Sequence, residues 1–297
     1  MKTLSFGEIL FDRIDGKDYF GGAPANVAVH LSRFGAESYM LSALGQDVLG
    51  NDASEILAAE KIKSDFIYSS PHHPTGVVEV HVTNGIPSYD IREGSAWDCI
   101  TPDDESLRKM ISTEWDLVYC GTLAQRTESN RRLLQTVLEN GRYRELFFDV
   151  NIRQNYYSSE IIANTLKYTT ILKLNDEELP LVSKLIYGHE MEAREFFAKA
   201  SEDYPLTLLL LTCGPDGAEL YHEKTKGKAL HIPSGKVFVI DTVGAGDSFS
   251  GTFLSCYMKG DSLEKAGRKA SRVADFVVSH SGATPELDDE ILKALEE

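Results

Sequence analysis

The segment Val237-Phe238-Val239-Ile240-Asp241-Thr242-Val243-Gly244-Ala245-Gly246-Asp247-Ser248-Phe249 constrains this chain more than any other. An apolar β-branched and aromatic run ends in a turn of small residues, and Phe249, Phe253 and Tyr257 then recur at helical spacing. The pattern predicts a strand, a tight loop and a helix. Such a loop sits at a helix N-terminus, where unpaired N–H groups and the positive end of the helix dipole favour an anion. Asp247 then has two readings. It caps the helix, or it takes a proton from an alcohol beside the stabilised anion. A phosphate-binding loop of the Walker type needs Lys and Ser or Thr after its last Gly, where this chain has Asp247. The dinucleotide fingerprint needs a third Gly where Phe249 stands.

The chain of 297 residues can bury one large core, so a single domain over 1–297 is expected. Its formal charge of −16, from 30 basic and 46 acidic residues, disfavours nucleic acid and anionic membranes as partners. Cys99, Cys120, Cys213 and Cys256 lie far apart without a Cys-x-x-Cys pair, which fits reduced thiols in a cytoplasmic protein. No apolar run reaches membrane-spanning length.

In chain order, Thr3 to Leu10 reads as a buried strand broken by Gly7. Asp12, just past its end, is a turn residue or a ligand group at the carboxyl edge of a sheet. Gly21-Gly22-Ala23-Pro24-Ala25-Asn26 opens a helix with Val27, Leu31 and Phe34 on one face and Gly35 at its end. Thr75 to Ile100 alternates apolar and polar residues around Asn84-Gly85, the pattern of an antiparallel hairpin. With residues near 11–20 it is expected to form a small β lid over about 11–20 and 75–100. From Leu107 onward strand-like and helical runs alternate, as in a parallel sheet covered by helices on both faces. Asp149-Val150-Asn151-Ile152-Arg153 follows one strand and could be a surface ion-pair cluster. Lys173-Leu174-Asn175-Asp176-Glu177-Glu178 follows the next, with ordinary capping chemistry as one reading.

Taken together these segments resemble the ribokinase/PfkB family of carbohydrate kinases. The Asp-Thr, small triplet, Gly-Asp core matches that family's second signature, and Gly21 to Gly50 matches its first. The resemblance implies an α/β fold, a ribokinase-like three-layer sandwich with a mainly parallel central sheet and a small β-sheet lid. It implies an ATP-dependent sugar kinase using Mg2+, and it allows a monovalent cation such as K+ and a homodimer through the lid. Asp247 is implied as general base, with the Gly244, Ala245 and Gly246 amides around the moving phosphoryl group. Asp12, Gly21, Gly22, Asn26, Arg92 and Arg153 are implied at the sugar. Lys173, Asn175, Thr212, Gly214, Gly217 and Gly282 are implied at the nucleotide, with Asn175 and Glu178 holding magnesium through water. The loop Gly121 to Arg126 resembles that of fructokinases, which makes fructose the first choice, while Asp149 to Arg153 resembles the Asp-x-Asn-x-Arg of both fructokinases and ketodeoxygluconate kinases. Ketodeoxygluconate kinase is the alternative, since Arg92 and Arg153 also match positions near its acid substrate. A catalytically silent sugar-binding homologue is the alternative from another class.

Overall fold

The computed structural model describes residues 1–83, 86–225 and 228–296. Its strands are β1 (Lys2–Phe6), β2 (Leu10–Ile14), β3 (Lys17–Gly21), β4 (Glu37–Gly45), β5 (Ile67–Ser70), β6 (Gly76–Thr83) and β7 (Ile86–Ile91). They continue with β8 (Glu114–Gly121), β9 (Arg142–Asp149), β10 (Ile171–Asn175), β11 (Leu208–Thr212), β12 (Ala218–His222) and β13 (Leu230–Ile232). Nine of them form one sheet in the order β13-β12-β11-β10-β9-β8-β1-β4-β5. Pairing from β11 across to β5 is parallel, and β12 and β13 add an antiparallel edge. The remaining four make a small, mainly antiparallel sheet, β3-β2-β6-β7.

Strand alternation divides the core into two layers. Val118, Cys120, Leu146, Phe148, Leu172, Leu174, Leu209 and Leu211 face one set of helices. Leu117, Tyr119, Phe147, Ile171, Leu208 and Leu210 face the other, against Val27 and Leu31 of helix Ala23–Arg33 and Phe249 and Phe253 of helix Ala245–Met258. A period of two puts successive side chains on opposite faces, so Tyr119, Asp149 and Lys173 share the face that carries the helix beginning at Ala245.

The chain passes from β1 to β4 on one side and returns to β8 on the other, making β1 and β8 the topological switch point, where open α/β sheets form their crevice. Two expectations are corrected here. The run Thr3 to Leu10 is two strands in two sheets, because the chain turns out of the main sheet after Phe6, and Asp12 lies inside β2 rather than past a strand end. Val237 to Ile240 is an exposed loop. It has β propensity, but the antiparallel edge is occupied by β13, and Ile240 donates its N–H to Val278 O at the end of a helix. The expected turn at Asn84-Gly85 lies outside the described residues.

Candidate active site

Helix Ala245–Met258 begins at Gly244, which has φ 77° and would carry a Cβ 2.5 Å from the Cα of Ala283. Both the left-handed backbone and the contact demand glycine. The segment above it is braced from the far end of helix Ala23–Arg33: Arg33 donates to Thr284 O and Pro285 O at 3.0 and 2.7 Å. Asp241 ties both sides of the loop, accepting from Val243 N at 3.0 Å and from Gly282 N at 3.2 Å. Ala245 N makes only a long bond, 3.3 Å, to Thr242 O. Gly246 and Asp247 follow in the first turn, where a helix supplies no acceptors of its own. The loop is thus fixed in place and ends in the N–H donors of a helix start.

Asp247 accepts a 2.8 Å hydrogen bond from Asn26 Nδ2, which joins the starts of two helices 221 residues apart. Burial pushes its carboxyl up to about 6; Asn26, Lys173 and Arg153 oppose the rise, and Asp149 adds to it. A carboxyl near 6 is ionised at neutral pH and basic enough to accept an alcohol proton. Asn26 is buried, and its Oδ1 has no partner among the described residues.

Lys173 lies below this turn. Its Nζ is 3.5 Å from where a Cβ on Gly246 would be, and it donates to both oxygens of fully buried Asp149 at 2.9 and 3.0 Å. Burial works against the ammonium, but Asp149, Glu178 and Asp247 hold its pKa above the usual value.

The sugar-side candidates gather around the turn from β1 to β2. Gly22 has φ 105° and would place a Cβ 2.5 Å from Glu8 O, while Gly21 would place one 2.8 Å from Asp12 Oδ2. Asp12 is pushed up to about 6 by burial, against the pull of exposed Arg153. Arg92 stands apart: it is 59% exposed and bonded to Glu79 at 2.8 Å within the small sheet.

Asn175 and Glu178 cap one another. Glu178 N donates to Asn175 Oδ1 at 2.7 Å, and the Glu178 carboxylate accepts from Asn175 N and Ile152 N at 2.9 and 2.7 Å. Each carboxylate oxygen keeps a further acceptor site, and no group of three metal-ligating side chains occurs among the described residues. That donor set fits an ion held mainly by phosphates and water, as magnesium prefers. Thr212 pairs with Asn175 across β10 and β11, and its carbonyl accepts from Asp176 N at 3.0 Å. Gly214 and Gly217 form the turn that follows.

The sequence pattern gives no role to Glu8, and it shows Arg126 only as the end of the loop Gly121 to Arg126. Glu8 is 4% exposed and stands among Arg153, Asp247 and Arg126. Its signal was a charge inside an apolar strand-like run. Arg126 forms a buried pair with Asp98, with two bonds of 2.6 Å, between the rings of Trp97 and Tyr156. No local pattern announces that partnership.

Known proteins resemble this chain in sequence and fold. A sugar kinase of Pyrococcus horikoshii is 30% identical over 97% of this chain and 94% of its own length. Its crystal structure in complex with ATP superposes with a TM-score of 0.81, covering 99% and 97% of the two chains. A nucleoside kinase of Methanocaldococcus jannaschii is 28% identical over 94% of this chain and 86% of its own. A fructokinase of Salmonella typhimurium is 28% identical over 79% and 76%. The model of the pfkB family carbohydrate kinases matches residues 5–290. With the helix start at Gly244, the carboxylate of Asp247 beside it and this match along nearly its whole length, the chain belongs to the pfkB family of carbohydrate kinases and is a sugar kinase, a phosphotransferase with an alcohol acceptor.

Proposed function

We propose that this kinase phosphorylates a primary hydroxyl of a neutral sugar, fructose first, at the expense of ATP. The observation that carries the reading is the Asn26–Asp247 hydrogen bond of 2.8 Å at the mouth of the helix that starts at Gly244. It places a carboxylate of raised basicity beside the N–H donors of a helix start. In the proposed reaction the acceptor O–H proton passes to Asp247 as the oxygen bonds to the γ-phosphorus and the bond to ADP breaks. The amides of Gly244, Ala245 and Gly246 receive the charge on the moving phosphoryl oxygens, with Lys173 below them. Asp12, Gly21, Gly22, Asn26 and Arg153 hold the sugar. Asn175, Thr212, Gly214, Gly217 and Gly282 border the nucleotide. Magnesium, held through water by Asn175 and Glu178, neutralises phosphate charge when bound, and a monovalent cation such as K+ is compatible with the same loop. In this reading the small sheet is a lid on the single domain, able to pair with that of a second copy, and the enzyme works in the cytoplasm.

Charge separates fructose from the sugar-acid reading. A site for an acid needs an uncommitted guanidinium. Arg92 is paired with Glu79 and Arg126 with Asp98, and Arg153, which donates to Ile152 O, is already under the influence of Glu8 and Asp12. A fructokinase among the relatives agrees with a neutral ketose. The test is ATP consumption with a panel of hexoses, pentoses, nucleosides and sugar acids. Faster turnover of ketodeoxygluconate than of any neutral acceptor would replace this reading with the sugar-acid one.

A further inference from the structure

Glu8 is a buried carboxyl whose one hydrogen-bond donor among the described residues is its own backbone N–H. It stands at the switch point, in the turn that carries the chain from β1 to the small sheet, and only 4% of it is exposed. Gly22 fixes it from one side: a Cβ on that glycine would touch Glu8 O at 2.5 Å and Cγ at 3.3 Å. The turn is therefore pressed against the helix start from which Asn26 reaches Asp247. Three further elements present charge to its carboxyl: Arg153 from the loop after β9, Asp247 from the helix start and Arg126 from the loop after β8. Asp12, on β2, lies under the influence of the same Arg153 and Asp247.

Neither arginine is bonded to Glu8. Arg126 commits Nε and Nη2 to Asp98 and is stacked between two aromatic rings, while its buried Nη1 has no partner among the described residues. Among the described residues the Glu8 backbone N–H is the hydrogen-bond donor acting on the carboxyl. A buried carboxyl with so little compensation is costly unless a ligand completes it. A sugar, with a hydroxyl on nearly every carbon, is well suited to do so.

We propose that Glu8 is a sugar-recognition residue, a hydrogen-bonding group on the inner wall of the acceptor cleft that selects neutral sugars over sugar acids. The proposal rests on the kinase reading above. Glu8, Asp12 and Asp247 put three carboxyls within the influence of Arg153, whose hydrogen bond among the described residues goes to Ile152 O and not to a carboxylate, and an acid substrate would add a fourth. Burial pushes Glu8 up to about 7, against the pull of Arg153 and Arg126 and with a push from Asp247. Its discrimination against anions should therefore strengthen as pH rises through neutrality, when the group becomes charged.

The experiment compares wild type, Glu8→Gln and Glu8→Ala by calorimetric binding of D-fructose in the presence of a non-hydrolysable ATP analogue. It also measures competition between D-fructose and ketodeoxygluconate from pH 6 to 8. If wild type phosphorylates another neutral sugar of the panel faster, that sugar takes the place of fructose. Glu8→Ala is expected to weaken sugar binding about 10-fold or more, with affinity for the analogue unchanged. Glu8→Gln keeps the volume and tests the charge alone: its use of acid relative to neutral sugar should rise about 10-fold at pH 8 and lose the pH dependence seen in wild type. Sugar affinity and acid-to-neutral ratio both within twofold of wild type in Glu8→Gln and Glu8→Ala would overturn the proposal, as would a wild type that accepts only sugar acids. Failure of the kinase reading itself appears elsewhere, as a wild type that consumes no ATP with any member of the panel.

Discussion

Asp149 and Asp247 both act on the Lys173 ammonium, but only Asp149 is bonded to it, at 2.9 and 3.0 Å. Asp149 spends its charge on a fixed pair inside the sheet. Asp247 has one neutral donor, Asn26, and burial drives its carboxyl up to about 6. Two identical side chains, both within reach of Lys173, are thereby given different surroundings. A counter-charge turns a buried carboxylate into an anchor, and its absence leaves a proton acceptor.

The same substitution at both sites tests this contrast. Asp247→Asn is expected to lower kcat about 100-fold or more while nucleotide and sugar still bind, because a proton acceptor is lost without loss of volume. Thermal stability should hold or rise, since a partly uncompensated buried charge is removed. Asp149→Asn strands the Lys173 charge, and breaking a buried pair from one side costs about 3 kcal/mol or more, read as a clear drop in Tm. Equal stability losses in the two variants, or near-normal turnover in Asp247→Asn, would erase the distinction.

A smaller effect isolates Asn26. The base must be ionised, so kcat/KM for wild type should rise with pH through about 6 and level off above it. Asn26 donates to the ionised form and so holds the pKa below what burial alone would give. Asn26→Ala should move the rising limb to higher pH by about one unit, the size of a charge-assisted hydrogen bond. A limb that stays in place in the pH–rate profile would mean that Asn26 does not tune the base.

Much of this was legible in the sequence, for stated reasons. The helix starts at Ala23 and Ala245 and the parallel strands were marked by glycines, proline and alternation, which act over a few residues. The Asn26–Asp247 bond and the Lys173–Asp149 pair were not, since they join strand and helix ends that only the sheet order brings together. Val237 to Ile240 misled because strand propensity counts only where an edge is free to pair. Glu8 was passed over for the opposite reason: its apolar neighbours made the whole run look like one strand.

Glu178 offers an intermediate case between anchor and reactive group. Burial raises its pKa, yet both its oxygens accept backbone N–H groups. Glu178→Gln replaces one acceptor with an NH2 that faces a donor, and it removes the charge available to magnesium-bound water. The magnesium needed for half-maximal activity should rise about 10-fold, in line with the loss of an outer-shell partner. A magnesium titration that superimposes on wild type would reduce Glu178 to a helix cap.

The smallest effect is expected at Arg92, and it sharpens the contrast from the side of the cations. Arg92 and Arg153 both stood as sugar contacts in the sequence reading, and both are exposed. Arg153 acts on Glu8, Asp12 and Asp247, whereas Arg92 is bonded to Glu79, which Arg13 also approaches at 3.4 Å. An exposed pair of this kind contributes about 0–1 kcal/mol and is screened by salt. Arg92→Ala should therefore raise KM for fructose by less than about threefold, leave kcat unchanged and scarcely move Tm. Arg153→Ala, which removes a cation that acts on all three carboxyls, should raise the same KM several times more. Steady-state kinetics on the two variants side by side decide the matter. If Arg92→Ala were the more damaging, Glu79 would have to release Arg92 in the sugar-bound enzyme, and a freed guanidinium at the cleft would reopen the case for an acidic substrate.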